Sequence, residues 1–335
     1  MARYDFASDN VAGAMPEVME ALARVNGGFS ASYGDDAVCG QAADLIRGLL
    51  DADAEVRFAS SGTAANALTL AALAAPHEAV IAHEHSHVAT DETGAPGFFG
   101  SGLGILGLCG GSGRIDPANL AEILARPESA HAQPPAALSV TNATEFGAVY
   151  SEPHLASLIA PAISAGLKVH LDGARLANAV AGGFDPKAAA RLGVDVLVLG
   201  GTKVGSTPTE AIVLFDKTLA RRFGARLKHG GQLISKARFL AAPWIGMLES
   251  GAWQSRAAHA NAMAQRLAAL MPFPLTHPVE ANVVFVAMDD ATLARLTEAG
   301  WFVYRFIDGS VRFMCSWSTT AEGVDELGEA LKRLA

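Results

Sequence analysis

The chain has 335 residues, half of them hydrophobic and only 18% charged, so a large core is available and a disordered or fibrous protein is excluded. Twenty-five Lys and Arg against thirty-four Asp and Glu leave a formal charge of −9, which argues against a nucleic-acid or anionic-membrane partner. At roughly 150 residues per domain the length predicts about two domains.

The first ten residues carry Arg3, Asp5 and Asp9 with no apolar run behind them, unlike a secretory signal. The longest apolar stretch, Ala64 to Ala75, is interrupted by Asn66 and stopped by Pro76, short of the roughly 20 residues of a membrane span. Cys39, Cys109 and Cys315 are far apart and lack CxxC spacing, so they read as buried thiols in a reducing compartment, and a cytoplasmic location is expected.

From Glu55 onward short β-type runs alternate with helical patterns, which predicts βαβ units and a mostly parallel sheet, an α/β fold. Strands are expected at Val56–Ala59, Ala79–Ala82, Ala137–Val140, Lys168–Asp172, Val194–Leu199 and Ala211–Phe215. Helices are expected between them over Gly62–Ala75, Pro117–Ala125, Pro153–Ala165 and Ala174–Ala181. Several strands are continuous apolar runs, as when helices cover both faces.

After Phe215 the pattern turns to long Ala-rich helical sequence through Gly251–Met271, followed by a short α+β tail. Its expected parts are a strand Asn282–Ala287, a helix Asp290–Glu298, strands around Trp301–Phe306 and Val311–Cys315, and a helix from Ala321. A boundary near Pro243 divides the chain into an amino-terminal arm 1–15, a large domain 16–243 and a small domain 244–335.

Three segments carry chemistry. Ser60-Ser61-Gly62-Thr63 lies between a strand and a helix, where free backbone N–H groups and hydroxyls converge on an anion; an ordinary helix cap is the competing reading. Lys168-Val-His-Leu-Asp172-Gly-Ala-Arg175 ends a strand with an acid and turns into a helix with an arginine three residues on. In open α/β sheets ligands sit outside the carboxyl ends of the strands. Taken alone, though, that pair also reads as a cap and its partner. Val196-Leu-Val-Leu-Gly-Gly-Thr202-Lys203 delivers one of only seven lysines from the end of an apolar strand through a glycine turn. Partial desolvation there favours the neutral, nucleophilic amine. A lysine, an acid and an anion cup at three strand ends match the requirements of pyridoxal phosphate (PLP).

His83, His85 and His87 would share one face of a strand and suggest a metal-dependent hydrolase as a rival. Neither HExxH spacing nor an aspartate-histidine dyad follows, so no metal is expected, and one imidazole stacking on a cofactor ring is the better functional reading. Gly111-Ser-Gly113-Arg-Ile-Asp116 breaks off before the third glycine of a dinucleotide loop.

Taken together, Asp5-Phe-Ala-Ser8-Asp9, Ser32-Tyr33-Gly34-Asp35-Asp36, Ser61-Gly62-Thr63-Ala-Ala-Asn66, His87 with Glu92, His170-Leu-Asp172-Gly-Ala-Arg175 and Gly201-Thr202-Lys203 resemble the threonine aldolases. These belong to the β-eliminating-lyase group of PLP enzymes. The resemblance runs from Asp5 to about Thr320. It implies an aspartate-aminotransferase-like (fold type I) large domain with a mostly parallel sheet, plus a small α+β carboxyl-terminal domain. It also implies cleavage of threonine, allo-threonine or phenylserine to glycine and an aldehyde. An aminotransferase or β-eliminating lyase of the same cofactor class is the alternative.

Carried over by position, Lys203 is the Schiff-base lysine and Asp172 the partner of the pyridine nitrogen. Ser61, Gly62, Thr63 and Thr202 contact the phosphate, and His87 stacks on the ring. Ser8, Arg175 and Arg312 clamp the substrate carboxylate, with Arg175 also beside the cofactor and Tyr33 at the substrate. Tyr33, Lys228 and Lys236 are implied to reach the site of a neighbouring subunit in a homodimer or homotetramer. Many similar chains have a histidine in Glu-Asn-Thr-His where this one has Thr141-Asn-Ala-Thr144-Glu145-Phe-Gly, which leaves the base for the β-hydroxyl open.

Overall fold

The computed structural model describes residues 2–127 and 129–335. A seven-stranded sheet has the order β1-β7-β6-β5-β4-β2-β3. Its strands are β1 Glu55–Ala59, β2 Ala79–His83, β3 Gly104–Leu108, β4 Pro135–Thr141, β5 Lys168–Gly173, β6 Val196–Gly200 and β7 Glu210–Leu214. β2 to β6 pair in parallel, while β7 runs antiparallel to both β1 and β6. The reversal follows from chain length: Gly201 to Thr209 is too short for a crossover, so β7 folds straight back beside β6.

All six expected strands coincide with observed ones to within two residues at either end, with Val194 and Asp195 just preceding β6. β3 was not expected. Its five residues include Gly104 and Gly107, and it lies at the sheet edge, so neither composition nor burial marks it. Cys109 follows this edge and is exposed, correcting the expectation of three buried thiols. The helices Pro16–Val25 and Ala37–Leu50, upstream of the alternating region, bury Val18 and Ile46 with Trp244 in the main core.

The helix Gly62–Leu73 is buried along most of its length, with Leu68, Leu70 and Ala71 against one face of the sheet. A helix apolar on all sides belongs inside. A three-stranded antiparallel sheet, β8 Val283–Val286, β9 Tyr304–Arg305 and β10 Val311–Met314 in the order β8-β10-β9, carries its own core with Leu296, Val324 and Leu331. Phe6 joins this smaller core, so the amino-terminal segment lies on the carboxyl-terminal unit. Pro243 sits inside the helix Arg238–Glu249, buried next to Trp244 in the main core. The longer helix Ala252–Leu270 connects the two cores through Ala257 and Leu267. No helix among the described residues is long and apolar enough to cross a membrane.

Candidate active site

Because β1, β2, β4, β5 and β6 point the same way, their carboxyl ends open at one edge, and the antiparallel β7 begins there. The segments leaving those ends line a cavity of about 300 Å³. β1 supplies Ser61, Gly62 and Thr63, β2 leads to His87, and β4 supplies Thr141 and leads to Glu145. β5 contributes Asp172 and Arg175, β6 leads to Thr202 and Lys203, and β7 starts with Glu210.

Ser61 caps the helix Gly62–Leu73, its hydroxyl accepting the Ala64 N–H at 3.3 Å. The amides of Gly62 and Thr63 precede the first intrahelical bond and face the cavity mouth, at the positive end of the helix. A Cβ at Gly62 would meet nothing within 4 Å, so there is open space beside this residue. Ser60 N–H and Oγ both donate to Gln232 Oε1, at 2.8 and 2.9 Å.

Lys203 follows β6 through a tight passage. A Cβ on Gly200 would lie 2.3 Å from the Ala174 carbonyl, and Gly205 holds φ +118° against the Trp317 ring. No carboxylate lies within ion-pair reach of Lys203 among the described residues. Burial, and then the Arg175 guanidinium, lower its pKa and favour the free amine. Glu210 accepts the Gly201 N–H at 3.0 Å, and burial pushes its carboxyl up to about 7.

Asp172 is fixed from two sides: Oδ1 accepts the Ala174 N–H at 3.0 Å and Oδ2 accepts Asn66 Nδ2 at 2.9 Å. Asn66 Nδ2 also donates to Glu92 Oε1 at 2.9 Å, and the same oxygen holds His87 Nδ1 at 2.8 Å. This hydrogen bond raises the His87 pKa, and burial raises that of Glu92. One network thus sets the orientation of both the imidazole and the aspartate.

Arg175 is clasped by Asp9, with Nε to Oδ2 at 2.7 Å and Nη2 to Oδ1 at 3.0 Å. Asn282 Nδ2 supports Asp9 Oδ2 at 3.2 Å. Burial alone would raise the Asp9 carboxyl, yet Arg175 holds it below the usual carboxylate range. Arg312 is buried close to this pair; it stacks on Tyr304 and Phe306 and donates to the Ala7 carbonyl at 3.3 Å, while its Nε has no partner. Burial, and then Arg175, lower Arg312 to about 10. Asp9 is paired with Arg175 alone, and Arg312 beside it has no carboxylate within ion-pair distance among the described residues.

Of the expected site residues, Ser61, Gly62, Thr63, His87, Asp172, Arg175, Thr202 and Lys203 meet at this cavity. Ser8 does not line it; its hydroxyl caps Asn10, which does. Arg312 stands behind Arg175 and is also outside the lining. Tyr33 and Lys228 lie together on another face, the ammonium 4.7 Å from the ring, and Lys236 is exposed nearby.

The three histidines do not share a face, because β2 ends at His83. Its Nε2 bonds the Gly110 carbonyl at 3.1 Å, its Nδ1 accepts the His85 N–H, and only His87 enters the cavity. Asn66, Glu92, Asp9, Glu145 and Glu210 join the site without having been singled out for it. Glu210 had a signal, since it heads an otherwise apolar run; the reach of Asp9 to Arg175 had none.

This set fits PLP. An amine without a carboxylate partner, open helix amides and an aspartate whose oxygens are both fixed stand on separate walls of one cavity.

The comparisons agree with this arrangement. The chain is 43% identical to the low specificity L-threonine aldolases of a Pseudomonas species and of Pseudomonas aeruginosa, over 98% of this chain and 96% of each relative. Its structure is similar to that of Leishmania major threonine aldolase, with a TM-score of 0.93, 30% identity and coverage of 99% of this chain and 100% of that one. Sphingomonas wittichii serine palmitoyltransferase shares the fold, at a TM-score of 0.71 and 15% identity over 98% of this chain and 86% of that one. Residues 5–291 match the sequence family described as β-eliminating lyases, and the chain belongs to that family.

Proposed function

We propose that this chain is a PLP-dependent aldolase that splits β-hydroxy-α-amino acids of the threonine and phenylserine type into glycine and an aldehyde. The supporting observation is the convergence of Lys203, Asp172 and the open helix end at Gly62 on one cavity, in a chain 43% identical to low specificity L-threonine aldolases. The cofactor, once bound, supplies an electron sink for the pair left on Cα when the Cα–Cβ bond breaks.

The chain's own residues do the rest. Lys203, kept short of carboxylates and desolvated, has a lowered pKa and would hold the cofactor through its free amine. Gly62 and Thr63 amides, with the Ser61 and Thr202 hydroxyls beside them, hold the phosphate. Asp172, held in place by Asn66, would support a proton on the cofactor's ring nitrogen by its negative charge. His87, tethered by Glu92, would stack on the cofactor ring. Arg175, which lines the cavity, would take the substrate carboxylate with charge-assisted hydrogen bonds and so orient the bonds at Cα, with the buried Arg312 adding positive charge behind it.

Tyr33, Lys228 and Lys236, on a face away from the cavity, serve the site of a neighbouring copy in a dimer or tetramer, and the enzyme acts in the cytoplasm. Absorption spectra test the function. PLP should give the purified chain a visible band that borohydride bleaches while fixing the cofactor on Lys203. Glycine should shift the band, and glycine with an aldehyde should yield a β-hydroxy amino acid. A chain that PLP does not colour overturns the cofactor assignment; a coloured chain indifferent to glycine overturns the aldolase and favours an aminotransferase or β-eliminating lyase.

A further inference from the structure

Cleavage requires an acceptor for the β-hydroxyl proton, and the segment after β4 has no histidine to provide one. It has Glu145, held in a tight turn: Gly147 N–H donates to the Thr144 carbonyl at 2.9 Å, and Thr144 Oγ1 donates to the Ser112 carbonyl at 2.8 Å. Gly147 sits at φ +74° with Val283 where a side chain would be, so the turn is pressed against the smaller sheet. Phe146 goes into the aromatic cluster with Phe285 and Phe306, while Glu145 lines the cavity.

The oxygens of the cavity's acids can be accounted for. Asp172 uses both of its oxygens on N–H donors, and Glu210 lies on the Lys203 side with Oε2 on the Gly201 N–H. Glu145 uses only Oε1, which accepts the His87 N–H at 2.8 Å. Its Oε2 is buried with no partner, the one such carboxylate oxygen lining this cavity among the described residues. A buried polar atom left without a partner marks a place for a ligand group. His87 is a poorer acceptor: Nδ1 is taken by Glu92, and Nε2 has the Asp91 carboxylate 3.9 Å away. The hydrogen bond to Glu92 raises the His87 pKa and favours the protonated ring, which has no lone pair to accept with.

We propose that Glu145 is the base that takes the β-hydroxyl proton in cleavage and returns it in synthesis. The proposal rests on the aldolase reading above. In the step, the hydroxyl O–H bond breaks and its proton passes to Glu145 Oε2. The O–H electron pair becomes the second C–O bond of the departing aldehyde, and the Cα–Cβ pair stays with the glycine fragment, whose excess charge the bound cofactor accepts. The groups facing Glu145 are Asp172, His87, Arg175 and Tyr150. Burial, and then Asp172, raise its carboxyl, which makes the ionised form a stronger base than an exposed glutamate.

Glu145→Gln tests this in the holoenzyme, because the amide keeps an Oε1 for the His87 N–H and removes only the basicity. Dissociation constants for PLP and glycine, read from the absorption spectrum, should stay unchanged, as should exchange of the glycine α-proton with D2O followed by NMR. Turnover in cleavage of threonine or phenylserine should fall about 10²–10⁴-fold, and Glu145→Asp should recover part of it. Unchanged cleavage in Glu145→Gln overturns the proposal, as does loss of cofactor affinity or glycine exchange in parallel with cleavage. Selective loss of cleavage in His87→Phe, with Glu145→Gln unaffected, assigns the base to the imidazole instead. If the unaltered enzyme exchanges glycine but cleaves no β-hydroxy amino acid, the aldolase reading itself fails and Glu145 with it.

Discussion

β5 and β6 carry charges at both ends, and the two ends are treated in opposite ways. Where β5 begins, Lys168 Nζ lies 2.9 Å from both Asp195 and Asp216, and Asp195 also accepts the Val169 N–H. Those hydrogen bonds raise the lysine's pKa. At the carboxyl edge, burial lowers the pKa of Lys203, which has no carboxylate beside it, and Arg312 Nε and Glu145 Oε2 are buried without partners. A fold keeps its buried polar groups paired when stability is all they serve. At the carboxyl edge Asp172 and Arg175 are paired, while Lys203 and Glu145 Oε2 are not, and under the proposed function PLP and an amino acid would supply what those two lack.

The comparison predicts a trade of stability for function, and Lys203→Ala is its largest test. Turnover should fall about 10⁴–10⁶-fold, as when a covalent nucleophile is removed, and borohydride should fix no cofactor on the chain. The apoprotein's thermal unfolding midpoint should hold or rise, because a desolvated amine has gone. A large drop in that midpoint breaks the contrast between the two ends. Asp172→Ala comes next. Turnover should fall about 10²–10³-fold as electrostatic support for the ring is lost, while borohydride still fixes PLP on Lys203.

How much of this the sequence reveals depends on how local each feature is. The strand-end motifs around Gly62, Asp172 and Lys203 are readable because each element sits within a few residues of the group it presents. β3 escapes because a glycine-rich edge strand carries neither periodicity nor strong β propensity. The Asp9–Arg175 clasp escapes for a different reason: 166 residues separate the partners, and only folding of the amino-terminal arm onto the smaller sheet brings them together. The three histidines mislead because alternation assumes that the strand continues, whereas β2 ends at the first of them. Residue types thus mark the groups that line the cavity, while the partners that hold those groups come from the tertiary structure.

Asp9→Asn sharpens the comparison by removing the partner that the Arg175 guanidinium does have. Breaking a buried pair strands a charge, at a cost of about 3–5 kcal/mol, and urea denaturation at neutral pH should show it. The pH dependence carries the sign. The Asp9 carboxyl is lowered in the folded chain from its ordinary 3.8, so its contribution is present above that value and is lost as the pH falls through the lower, folded pKa. Asp9→Asn should be less stable than the parent at pH 7, with the gap closing in strong acid. An equal gap at all pH values sinks the assignment of this stability to the ion pair.

The smallest effect belongs to the satisfied end. Lys168 is 43% exposed at its side chain, so solvent screens its two ion pairs. Asp195 keeps the Val169 N–H without it, and Asp216 keeps the Thr218 N–H and hydroxyl. Lys168→Met should therefore cost about 1 kcal/mol or less in urea and leave kcat and KM unchanged. The value of this test lies in the pairing with Asp9→Asn. Both substitutions remove one partner of a carboxylate–cation contact, and they differ in whether water can replace what is lost. Similar costs at both sites would mean that burial is not what separates the two edges, and the case for unpaired groups as ligand positions would then lose its physical basis.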